Sequence, residues 1–208
     1  MRLDLLAALD APRRSAGLLT VVEVLALADS GNVIYDPFSV LISRHLRIGE
    51  GNVIHPCVTL TCAPTAEFQL GSRNILHTGT LLAAETGSIV VGDGNQFGEG
   101  GFTAKANRAG ARITVGDGGR YLGGASVFGE SVLGSGTQVL GAIAVDSCQL
   151  AAGAAFSDPD PDLRAAVLKG SGTARGLALG VGQVILGNGG FRAEDVKPQA
   201  FYHPKVKS

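Results

Sequence analysis

An aliphatic or aromatic residue recurs every six positions over much of this chain. Val115, Tyr121, Val127, Leu133, Val139, Val145 and Ala151 form one unbroken series, and Ile42, Ile48, Ile54 and Leu60 keep the same period upstream. Six is neither the period of an α-helix nor that of a simple half-buried strand. It is what a prism requires, with a short strand on each side and a turn at each corner. Inward residues two apart on a side satisfy strand alternation, and glycine or asparagine takes the corner. Three sides make a coil of 18 residues, the spacing from Val115 to Leu133 to Ala151.

Longer segments repeat in the same frame. "IGEGNVIHP" starts at Ile48, "LGSRNILHT" at Leu70, "VGDGNQFGE" at Val91, "VGDGGRYLG" at Val115 and "LGSGTQVLG" at Leu133. The starts lie 22, 21, 24 and 18 residues apart, which reads as coils of 18 with extra loops of 4, 3, 6 and 0. "CAPTAE" (62–67), "AAETGS" (83–88) and "KANRAGAR" (105–112) are the expected loops. The composition agrees with a narrow core and many tight turns. Of 208 residues 31 are glycine, aromatics are 5 % and tryptophan is absent.

Three parts are expected: a helical cap at 1–30, the coiled prism at 31–156, and an acidic loop, last irregular coil and C-terminal arm at 157–208. The cap reads as two helices, 2–11 and 17–29, separated by Pro12. With 17 basic and 18 acidic residues, no net field draws the chain to nucleic acid. The apolar stretch 17–28 contains Glu23 and is too short to span a bilayer. Cys57, Cys62 and Cys148 lack a CxxC pair and read as small buried hydrophobes in a reducing compartment, so a cytoplasmic protein without a structural zinc is expected.

Stacked coils place equivalent residues in rows about 4.8 Å apart. Asn32, Asn52, Asn74 and Asn95 fall in one row, expected to bond from amide to amide. Tyr35, His55 and His77 fall in another, each following an inward aliphatic, and that row continues with Gly98, Leu122 and Leu140. Glu99 lies one position past this row on the next coil and is placed to orient an imidazole. The bland alternative for each histidine is a corner imidazole bonded to neighbouring backbone. The carboxylates Asp93, Asp117, Glu50 and Glu130 read as solvated turn residues. "GDGNQFGEGG" (92–101) sits in corners rather than between a strand and a helix, so it is not a dinucleotide fingerprint.

These hexads resemble the hexapeptide-repeat proteins, over roughly residues 31–155. The resemblance implies an all-β, left-handed parallel β-helix of about six to seven coils, capped by a short N-terminal helix and associated as a homotrimer. In the acyltransferases of that class a coil histidine is the general base and an acyl thioester of coenzyme A the co-substrate. His77 in "NILHTGT" is then the first candidate base, His55 the second and Glu99 the orienter, with a small hydroxyl or amine as acceptor. The γ-class carbonic anhydrases of the same fold class bind zinc through three histidines, two of them five apart on one coil. The histidines here are His45, His55, His77 and His203, without that spacing, so no metal is expected. Residues 46–150 are also similar to the dynactin pointed-end subunit six group, which implies a non-catalytic assembly role as the alternative. The chain departs from that group by its N-terminal extension and its glycine-rich end after residue 170.

Overall fold

A computed structural model describes residues 3–204. The chain winds into a parallel β-solenoid with three faces, preceded by helical segments. The first face stacks Val33–Ile34, Val53–Ile54, Ile75–Leu76, Gln96–Gly98, Arg120–Leu122 and Gln138–Leu140. The second stacks Leu41–Ile42, Thr59–Cys62, Thr80–Ala84, Phe102–Ala106, Ala125–Phe128 and Ile143–Asp146. The third is a seven-stranded sheet running from Arg47–Ile48 to Ala178–Leu179. Winding continues past residue 156. Val167–Arg175 passes from the first face to the second as one strand, and Gln183–Gly190 lies parallel to it.

The six-residue frame is visible in burial. Val115, Tyr121, Val127, Leu133, Val139 and Val145 are all buried, each inside the prism. The frame slips at its last member. Leu150, not Ala151, pairs with Leu133 and is buried, because the corner after Val145 is one residue shorter. The three extra loops all sit at the corner between the second and third faces, between Cys62 and Glu67, Ala84 and Ser88, and Ala106 and Arg112. Insertions there leave the first face uninterrupted.

The asparagine row is a ladder. Asn52, Asn74 and Asn95 each donate Nδ2 to the Oδ1 of the asparagine one coil earlier, at 3.0–3.1 Å. The same oxygens accept the backbone N–H of the later residue at 2.8–2.9 Å. The ladder ends where Asn95 Oδ1 accepts from Gly119 N–H. A Cβ at Gly119 would stand 2.2 Å from the Tyr121 hydroxyl, which fills the next place in the row and bonds Thr137 Oγ1 at 2.9 Å. Phe97, Phe102 and Tyr121 form a buried ring cluster beside it. The corner residues Ser72, Asp93, Asp117 and Ser135 make a second ladder, each accepting a backbone N–H from the preceding coil. Asp93 and Asp117 are thus turn caps rather than idle surface carboxylates.

On the late coils the corner between the first and second faces is closed by glycine. A Cβ on Gly141 would lie 1.9 Å from the Gly170 oxygen, and one on Gly170 would lie 1.9 Å from the Gly187 oxygen. These residues also have φ of 120° and 124°, which side chains disfavour.

Both ends of the prism are closed. The first helix, α1 (Leu3–Ser15), runs through Pro12 instead of stopping before it. Proline already has a helical φ and costs one bond, and tertiary contacts offset that loss. Arg13 on its last turn is buried and donates to the carbonyls of Leu19, Val40, Pro37 and Phe38, which edge the first coil. Asp10 accepts the Val21 N–H at the start of α2 (Val21–Ala26), where Thr20 and Glu23 form a capping box. Arg44 grips Glu23 with two bonds of 2.7 and 2.5 Å. At the far end Phe191 and Val196 pack onto the core. Gln199, also buried, donates to the Ala165 carbonyl at 2.7 Å, which ties the C-terminal arm to the last coils. Cys62 and Cys148 are buried as expected, but Cys57 is exposed on a left-handed turn residue with φ 61°.

Candidate functional site

The inward residues Ile34, Ile54, Leu76, Phe97 and Tyr121 stand in strict register along the first face. The residue after each opens the corner toward the second face, which lines up Tyr35, His55 and His77. Their rings touch. Tyr35 and His55 meet edge to face with centroids 5.1 Å apart, and His55 and His77 are 4.7 Å apart. Both imidazoles are anchored through their backbones: His55 N–H donates to the Leu76 carbonyl and His77 N–H to the Phe97 carbonyl.

The next coil makes room for His77. A Cβ on Gly98 would lie 2.5 Å from the Cβ of His77, so glycine leaves that space to the imidazole. Leu76 pairs with Phe97 and Thr80 with Phe102, so the corner holding Glu99 carries one residue more than the corner holding His77. The added residue bulges, with Glu99 at φ 45°. Its carboxylate Oε1 comes within 4.0 Å of His77 Nε2, an ion-pair distance longer than a hydrogen bond. The three residues selected from the sequence, His77, His55 and Glu99, therefore stand together at one corner.

The His77 side chain is 23 % exposed and that of Glu99 66 %, so the pair meets solvent. Burial, and then repulsion from a charged His77, push the pKa of His55 below its ordinary value. His55 accordingly stays neutral where an isolated imidazole would begin to charge. Thr80, next in the "NILHTGT" motif, is buried and braces the corner: its N–H donates to the His77 carbonyl and its hydroxyl to that of Phe97. An imidazole with one open face and a carboxylate nearby is equipped to accept a proton and to stabilise the resulting charge.

Among the described residues, no three His, Cys, Asp or Glu side chains converge in a way that could hold a metal ion. His45 sits exposed in the bend before the third face, and His203 lies near the C-terminus. Among the described residues no helix is long and apolar enough to cross a membrane.

The fold and this corner define the chain's class, a parallel β-solenoid with a short helix at its N-terminal end. No protein-family model matches the chain, and no curated protein matches it. One feature of the same face escaped sequence reasoning. The late strands of the first face, with the segments around Phe156 and Tyr202, enclose a cleft of about 350 Å³. Its signal was the outward alternation of Leu140, Lys169 and Leu186, legible only once the winding is followed past residue 156.

Proposed function

We propose that the chain is a left-handed hexapeptide-repeat protein, a cytoplasmic homotrimer that transfers an acyl group from coenzyme A to a small hydroxyl or amine. The observation that carries this reading is the His77–Glu99 pair at an open corner, backed by a neutral His55. His77 Nε2 takes the proton from the acceptor as its oxygen or nitrogen attacks the thioester carbonyl. The carbon–sulfur bond then breaks, the thiolate leaves, and the proton held on His77 returns to it. Glu99 supports the imidazolium in between. Trimer packing along the first face would bring a neighbouring prism against this corner and supply the walls of a substrate groove.

The measurement is acyl transfer from a panel of acyl-CoA thioesters to hydroxyl and amine acceptors. His77→Ala is expected to lower kcat at least about a hundredfold, the usual worth of a general base, with the melting temperature unchanged. Glu99→Gln is expected to lower kcat by a smaller factor and leave KM alone. If no thioester is turned over or raises the melting temperature, the enzymatic reading falls.

The second reading is an assembly scaffold. It is favoured by the apolar side chains exposed on α2 and the first coil, Val22, Leu25, Val33 and Tyr35. Under that reading both His→Ala variants are silent, and substitutions at Val22 and Leu25 disrupt association.

A further inference from the structure

The late coils carry a second site on the first face. Leu140 lies on the coil three beyond that of His77, a separation of about 14 Å at one strand spacing per coil. There the cleft of about 350 Å³ is floored by outward-facing apolar residues, Leu140, Val184 and Leu186. Phe156, from the loop that follows the third-face strand Gln149–Leu150, forms a wall with the Arg120 guanidinium 4.4 Å above its ring. The volume is that of a small-molecule pocket.

Among the described residues, the lysine and arginine side chains lining it carry charge of one sign. Lys169 and Arg164 border the cleft, with the His203 ring beside them, and among the described residues no carboxylate does. Arg164 spends Nε and Nη2 on the Asp158 carbonyl, which fixes the loop. Lys169 projects from the middle strand of the floor and makes no ion pair among the described residues. An ammonium without an ion pair among the described residues, beside an apolar floor, suits a ligand with the complementary pair of properties.

We infer that this cleft binds a small organic carboxylate with an aliphatic or aromatic body, its carboxylate on Lys169 and its body between Leu140, Leu186 and Phe156. The site is separate from the His77 corner and does not depend on acyl transfer. Calorimetric titration of the full chain with hexanoate and phenylacetate, against hexanamide, phenylacetamide and acetate, tests it. Both acids are expected to bind, with the amides and acetate at least about tenfold weaker, as loss of a charged contact or of the apolar body requires. Lys169→Met, which keeps the stem and removes the charge, is expected to weaken the acids about tenfold. Leu186→Asp, at an exposed position, is expected to do at least as much, and His77→Ala to change nothing. Failure of both acids to bind, equal binding of acids and amides, or unchanged affinity in Lys169→Met overturns the inference.

Discussion

Asn74 has neighbours in the ladder on both sides, and its bonds to both neighbouring asparagines are buried. It donates to Asn52 Oδ1 and to the Gly92 carbonyl, and its own Oδ1 receives two N–H groups from Asn95. Asn74→Ala leaves those donors and acceptors buried without partners, so a loss of about 2–4 kcal/mol in unfolding free energy is expected from urea titration. The row was legible in the sequence because the ladder needs the same side chain at the same frame position on each coil. Its terminus was not. That Gly119 yields its place to the Tyr121 hydroxyl depends on a contact between two residues of unlike chemistry. The same holds for Glu99. Its position beside the histidine row could be counted from the motifs, but its reach to His77 comes from a bulged, left-handed residue that no spacing reveals.

At the scale of elements, the N-terminal cap works through paired charges rather than a large apolar face. Glu23, gripped first by Arg44 and then by the Thr20 N–H, has its pKa lowered from 4.5 to about 2. A carboxylate with a depressed folded-state pKa stabilises the fold above its unfolded value and loses that contribution as pH falls through the folded one. The stability advantage of the native chain over Glu23→Gln is therefore expected above pH 4.5 and to vanish progressively between pH 4.5 and about 2. Urea midpoints measured across that window check it. The Glu23 carboxylate is partly exposed, so solvent screens the pair and the advantage is modest. The two cap helices could be read from composition. Passage of α1 through Pro12 could not, because it rests on Arg13 finding three carbonyls at the edge of a coil 24 or more residues away, and that of Leu19.

For the molecule as a whole, a hexad period dictates the architecture because every coil must bury its inward residues against the coils beside it, and no coil is complete alone. Regular hexads are legible to about residue 156 and an irregular last coil beyond it; the winding runs on to Gly190 through two long strands, the first turning at Gly170 and Gly172. A glycine corner without an Asn or an aliphatic mark has little signature, and the cleft near Lys169 stayed hidden with it. With the third-face loops gathered at a single corner, the first face is left free to pack against a second prism. Sedimentation velocity is expected to give a trimer as proposed, and a charged residue at Tyr35 or Val33 is expected to shift it toward monomer. The ladder also has a direction. The amide oxygens of Asn32, Asn52, Asn74 and Asn95 all accept from the later coil, while the amide nitrogens of Asn74 and Asn95 bond both the earlier asparagine and a carbonyl of the later coil. A finished coil thus presents the asparagine acceptor that seats the turn of the coil after it, while the corner side chains Ser72, Asp93, Asp117 and Ser135 accept from the coil before. The asparagine oxygens, taken alone, point in the order in which the chain is synthesised. The capped N-terminal end can act as a template on which the prism grows one layer at a time as residues emerge, with each layer set by the one already laid down.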